Sequence, residues 1–188
     1  MMRQVFLLFL LGYLLVPEQD VGRILRPEDG AALPPGEVSI IAVAQAGKLL
    51  LDGQQLSVEQ SFPEVLHVRT TPSLGRHRLT LAWENGKTEI SFFVGDNPPE
   101  GFKLFQQHPP SPVECPQCHT LSRKGRLRFT GGCFGCHEQG DFNKTHRHPP
   151  HILEQCGQCH AAHGSTAKAL LVLPRDKACG LCHSAPSQ

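Results

Sequence analysis

The chain has 188 residues, with 18 Lys and Arg against 17 Asp and Glu for a formal charge of +1, and neither half carries a basic stripe of the kind a nucleic-acid partner requires. Its length allows two small domains. It contains eight Cys, 11 His and only two Met, and this inventory constrains the chemistry more than the net charge does.

The N terminus reads Met1-Met2-Arg3-Gln4, then an apolar run from Val5 to Val16, then Pro17-Glu18-Gln19-Asp20. Crossing a bilayer takes about 20 apolar residues, so residues 1–20 are expected to be an export signal. No small-x-small cleavage site is visible, which leaves an uncleaved anchor as the alternative and the only expected membrane span. The first cysteine is Cys115, too late for a lipoprotein. The expected location is periplasmic, outer-membrane associated or extracellular.

Residues 22–95 read as all-β. Glu37 to Ala44 is strand-like, and in Arg76 to Trp83 and Glu89 to Val94 apolar residues recur at every second position. Between the last two, Asn85-Gly86 predicts a type I′ hairpin turn, and Asp52-Gly53 after Lys48 to Leu51 predicts a second turn. Short strands at about ten-residue spacing suggest a sandwich. Arg26-Pro27-Glu28-Asp29-Gly30, the strand at 37–44, Leu51-Asp52-Gly53 and Gly75 to Leu79 together resemble bacterial immunoglobulin-like modules, without the inter-sheet disulfide of antibody domains. Within this stretch the parity of His77 with Leu79, Leu81 and Trp83 points its ring toward the interior or its rim. His67 reads as a surface residue. Asp96-Asn97-Pro98-Pro99-Glu100-Gly101 marks a compositional break, giving a linker over 96–103 and a second segment over 104–188.

All eight cysteines of that second segment fall in Cys-x-x-Cys-His motifs: Cys115, Cys118 and His119; Cys133, Cys136 and His137; Cys156, Cys159 and His160; Cys179, Cys182 and His183. This is the attachment signature of c-type haem. Two thiols reach two vinyl groups on a porphyrin, and the next residue brings an imidazole to the iron. Zinc knuckles use the same Cys pairs but do not require His after each one. Chance would put His at all four positions about once in 10^5. Four covalent haems c are therefore expected, with His119, His137, His160 and His183 as proximal ligands. The segment has no Trp or Tyr and few large aliphatics, so the haems are expected to be its core. The fold class that follows is a mixed two-domain chain: an N-terminal all-β immunoglobulin-like sandwich and a C-terminal haem-packed domain with little regular secondary structure and short helices.

A repeat is visible here. His108-Pro109-Pro110 precedes the first motif pair and His148-Pro149-Pro150 the second. The second copy continues through Cys156 to Ser165, Leu170-Leu171 and Cys179 to His183, and this pattern resembles the doubled-CXXCH family of multihaem cytochromes c. The only methionines, Met1 and Met2, lie in the export signal, so the distal iron ligands are expected to be histidines and the potentials low. His163 falls three residues after His160, where the resemblance implies a distal ligand. His108 and His148 lead the two stiff His-Pro-Pro segments and are further distal candidates. The fourth is His146, with His151 as the alternative. Ser122 stands in the first copy where the second has His163, which leaves a distal ligand of the first pair in doubt. Arg123, Lys124, Arg126 and Arg147 read either as a solvated basic face or as partners of haem propionates.

The motifs start at 115, 133, 156 and 179, leaving 18 to 23 residues per haem, too few to insulate each in its own fold. The function this implies is an electron carrier rather than an enzyme, passing electrons along closely spaced bis-histidine haems to other redox proteins, other cytochromes or an extracellular acceptor. Two alternatives stand beside it. One is a multihaem oxidoreductase reducing a small oxyanion at an open haem. The other is a filament or outer-membrane conduit subunit that assembles through its β domain.

Overall fold

The computed structural model describes residues 22–109, 114–138, 148–153 and 155–183; the expected export signal and His146 lie outside them. The chain is mostly β-sheet with a few short helices. Two sheets face each other across one apolar core. The first has the order β1 (Arg23–Arg26), β3 (Val38–Val43), β7 (Val65–Thr70), β6 (Glu59–Phe62). The second runs β10 (Lys103–Leu104), β2 (Ala31–Leu33), β9 (Gly86–Val94), β8 (Gly75–Trp83), β4 (Lys48–Leu51), β5 (Gln54–Gln55).

Alternation builds the core directly. Val38, Ile40 and Ala42 of β3 point inward with Leu66 and Val68 of β7, and meet Leu49, Leu79, Leu81, Phe92 and Val94 from the second sheet. Phe92 is fully buried, and its replacement by Ala is expected to cost about 3–5 kcal/mol. Denaturant unfolding followed by fluorescence of Trp83, the only tryptophan, checks this.

The β8–β9 hairpin forms where the alternation predicts it, but its turn differs. Trp83 pairs with Gly86, so the loop is Glu84-Asn85, and neither Asn85 nor Gly86 takes a positive φ. Gly86 instead lies under the indole of Trp83, where a Cβ would come within 3.0 Å of the ring. The type I′ geometry appears at the other site: Asp52 and Gly53 have φ of 50° and 85° between the paired residues Leu51 and Gln54.

His77 is buried as its parity predicts. Its Nδ1 lies 2.7 Å from Asp52 Oδ2 and its Nε2 2.8 Å from the carbonyl of Ser73, so both ring nitrogens are engaged within the sandwich. His67 corrects the expectation of a surface residue, being only 8% exposed. It points away from the core, since its neighbours Leu66 and Val68 point in, so its burial means that the outer face of the first sheet is covered.

The chain stays with the sandwich beyond the compositional break. Lys103 and Leu104 pair parallel with Ala31 and Ala32, and Phe105 enters the core. Next, β11 (Gln106–Gln107) pairs with β14 (Gly164–Ser165), tying the end of the sandwich to the middle of the second segment. Past Phe105, no hydrophobic side chain among the described residues is buried. Leu121, Phe129, Phe134, Ile152, Val172 and Leu181 are all exposed.

Candidate haem-binding site

Each Cys-x-x-Cys-His motif folds as one tight turn. Three open 3₁₀ turns, Cys115–Gln117, Cys133–Gly135 and Cys156–Gln158, and the fourth lies across the end of the helix Arg175–Gly180. In all four the N–H of the second Cys donates to the carbonyl of the first, at 3.1–3.3 Å. The turn brings the two cysteines and the His of each motif together, and none of the eight cysteines is in a disulfide.

The two copies share a second feature. After the first motif, β12 (His119–Leu121) pairs with β13 (Leu127–Phe129), setting His119 opposite Phe129. After the third, His160 bridges Leu171. In both, the carbonyl of the second Cys accepts from the returning strand, Cys118 from Thr130 at 2.8 Å and Cys159 from Val172 at 2.8 Å. Ser122 is a turn residue of the first hairpin, its Oγ accepting the N–H of Arg126 at 3.0 Å.

Three motif histidines each face a histidine from elsewhere in the chain. His119 lies 6.0 Å from His163, His137 lies 6.0 Å from His108, and His148 lies 6.0 Å from His183, centroid to centroid. The interplanar angles differ, at 35°, 14° and 41°, while the separation repeats. An iron bound to one nitrogen of each ring at about 2 Å, with that nitrogen about 1.1 Å from its ring centre, sets the centres about 6 Å apart and leaves rotation free. A fixed distance with variable tilt is the pattern a metal between the rings imposes, so the donor set fits haem.

Both motif histidines of the first copy thus face another histidine, although Ser122 stands where the second copy has His163. Each His-Pro-Pro histidine faces the second motif of its own copy, whereas His163 reaches across to the first motif of the other. His160 is the motif histidine whose facing ring is not among these pairs. Its Nδ1 donates to the carbonyl of Ala169 at 2.9 Å, and the alternative candidate His151 is exposed on the helix Pro150–Leu153.

Hydrogen bonds fix tautomers. A carbonyl can only accept, so His108 Nδ1, 2.9 Å from the carbonyl of Ala162, carries the proton and leaves the Nε2 lone pair free for a metal. Burial, with His119, Arg26 and His108 adding to it, lowers the pKa of His163 to about 4 and holds its ring neutral. His119 Nδ1 is buried without a hydrogen-bond partner among the described residues. Gly164, at φ +115°, sets His163 in place: a Cβ there would come within 2.5 Å of Phe105, so β14 lies flat on β11 only with glycine.

Between the copies, burial and a side-chain contact with Cys156 raise the pKa of Cys133, with Cys118 close enough to contribute. Thiols of the second and third motifs therefore adjoin. Sequence reasoning missed the sandwich's part in the site. Arg69 Nη2 is 3.7 Å from Glu114 Oε1, Phe62 packs edge-on to His119 at 6.5 Å, and Glu28 Oε2 accepts from the N–H and hydroxyl of Thr166 at 2.9 and 2.7 Å. The first motif thus covers the outer face on which His67 lies. No signal in the sequence links these residues, which stand 45 to 138 positions apart.

Residues 148–188 match the family described as the doubled CXXCH motif, and the motifs there are those of covalent haem c attachment. No curated protein matches the chain. Among solved structures, the fibronectin(III)-like modules of Clostridium thermocellum CbhA are 15% identical, cover 40% of this chain and 96% of theirs, and give a TM-score of 0.33. An FMN-binding beta-glucuronidase from Facaelibacterium prausnitzii L2-6 is 13% identical over 44% of this chain and 13% of its own, with a TM-score of 0.35. Among the described residues no helix is long and apolar enough to cross a membrane.

Proposed function

We propose that this chain is an exported tetrahaem c-type cytochrome that passes electrons along four closely spaced bis-histidine haems to a partner redox protein or an extracellular acceptor. The observation that carries the reading is the three histidine pairs, each 6.0 Å apart and each containing one motif histidine. Each haem supplies a one-electron iron couple. The eight motif cysteines hold the four haems covalently, His119, His137, His160 and His183 are the proximal ligands, and His163, His108 and His148 close the first, second and fourth sites. His146 or His151 serves His160. The contact of Cys133 with Cys156 supports adjoining haem edges at the junction of the copies, where the haems would supply a path from the first pair to the second.

The residues hold and insulate rather than react. Imidazole on both sides would favour the oxidised iron relative to Met ligation, the hydrogen bond from His108 to Ala162 fixes one ring, and the tight turns hold each motif's thiols and imidazole together. The sandwich braces the first haem and leaves its edge strands β1, β5, β6 and β10 as assembly or docking surfaces. Export places the chain in the periplasm, on the outer membrane or outside the cell.

Holoprotein matured in a host that attaches haem c is expected to retain four haems per chain after denaturation and acid-acetone extraction, all low-spin by electron paramagnetic resonance, and to bind no carbon monoxide when reduced. Freely extracted haem, bound zinc, or a count other than four overturns the reading. A high-spin haem that takes up carbon monoxide or nitrite points instead to the oxidoreductase alternative.

A further inference from the structure

A buried cation beside the first histidine pair has no partner among the described residues. Arg26 lies at the end of β1, opposite Ile41, which pairs in turn with His67, itself opposite Glu59. Cross-strand partners share a face, so Arg26, Ile41, His67 and Glu59 form one row across the outer face of the first sheet, the face that the first haem motif covers. Arg26 is 6% exposed, yet its guanidinium has no hydrogen bond or ion pair among the described residues. The acids around it are committed elsewhere. Glu28 holds Thr166, Glu114 lies against Arg69, and Glu59 stands 3.8 Å from His67.

Two observations locate what the guanidinium faces. Glu28, two residues after Arg26, is fastened to Thr166, three residues after His163, by two hydrogen bonds. The charge of Arg26 is also felt at both His163 and His67. A largely buried guanidinium without a counter-ion is costly to a fold, and its planar fork suits a carboxylate.

We propose that Arg26 is the counter-ion of the haem held between His119 and His163, its fork binding the carboxylate of a propionate of that haem. This rests on the proposed ligation and extends it: the sandwich supplies part of the cofactor site and sets the potential of one haem. A cation that neutralises a propionate favours the reduced iron, so Arg26 raises that midpoint relative to the same haem without it.

Spectropotentiometric titration of the holoprotein tests this, with His163→Ala marking the first haem by its high-spin signal. Arg26→Gln is expected to lower one midpoint of four, and in the His163→Ala background the lowered midpoint is that of the high-spin centre. Arg26→Lys, which keeps the charge but loses the fork, lowers it by less. Four unmoved midpoints, or a shift in another haem, overturn the counter-ion while leaving the ligation intact. If Arg26→Gln does not accumulate as holoprotein, Arg26→Lys decides alone: a lowered first-haem midpoint supports the proposal and four unmoved midpoints overturn it. If His163→Ala leaves every haem low-spin, the ligation itself fails and the proposal with it.

Discussion

Replacing both Cys133 and Cys136 with Ala is expected to remove one covalent haem and to destabilise the C-terminal half by at least about 3 kcal/mol, while the sandwich keeps its own transition. The size follows from where the apolar surface lies. Every buried hydrophobic side chain among the described residues is at or before Phe105, and beyond it Leu121, Phe129, Phe134, Ile152, Val172 and Leu181 are exposed in the polypeptide. Covering one such side chain is worth about 1.5–3 kcal/mol, and a haem covers two or more. The second motif is the sharpest choice because Cys133 adjoins Cys156, so its loss also uncovers the edge of the third site. Mass spectrometry of the denatured protein counts the haems. Thermal unfolding read at the haem absorbance and at Trp83 separates the two halves. An unchanged haem transition would show that the segment holds itself together without its cofactors.

That contrast between the halves also explains how much was legible in the sequence. In the sandwich, period-two alternation over Arg76 to Trp83 and Glu89 to Val94 marks which residues form the core, because a strand's faces are fixed by parity alone. Turn chemistry was less secure. Asn85-Gly86 and Asp52-Gly53 carry the same signal, and only Asp52-Gly53 takes it up, since a tertiary contact with Trp83 claims Gly86 instead. His67 was misread because its strand neighbours show only that it leaves the core, not that the haem segment covers it from outside.

In the second segment the attachment residues are legible because their chemistry is local: two thiols and an imidazole within five positions. The facing histidines are not local, and their pairing depends on how the copies interleave. A reading confined to one copy sets His163 beside its own neighbour His160, whereas the fold carries it across to His119. Arg26 was invisible for the same reason, being an ordinary strand-end arginine until the fold sets it against His163.

His163→Ala is expected to convert one haem of four to high spin and raise its potential, leaving three low-spin. The ring it removes is 6.0 Å from His119, is held neutral by burial, and directly precedes a strand that Gly164 lets lie against Phe105; among the described residues no other histidine faces His119. Each iron's axial pair is its own, which confines the effect to one centre. Packing disruption would act differently, broadening or losing several haems together. Imidazole added to the buffer separates the two causes, because it fills the vacated position and restores the low-spin spectrum only if the lost interaction was ligation. Carbon monoxide gives the complementary readout: the reduced variant should bind one equivalent per chain, and the unmodified protein none. A variant that remains fully low-spin would mean that His163 faces His119 without sharing an iron with it, and the cross-copy ligation would then be wrong at its best-defined position.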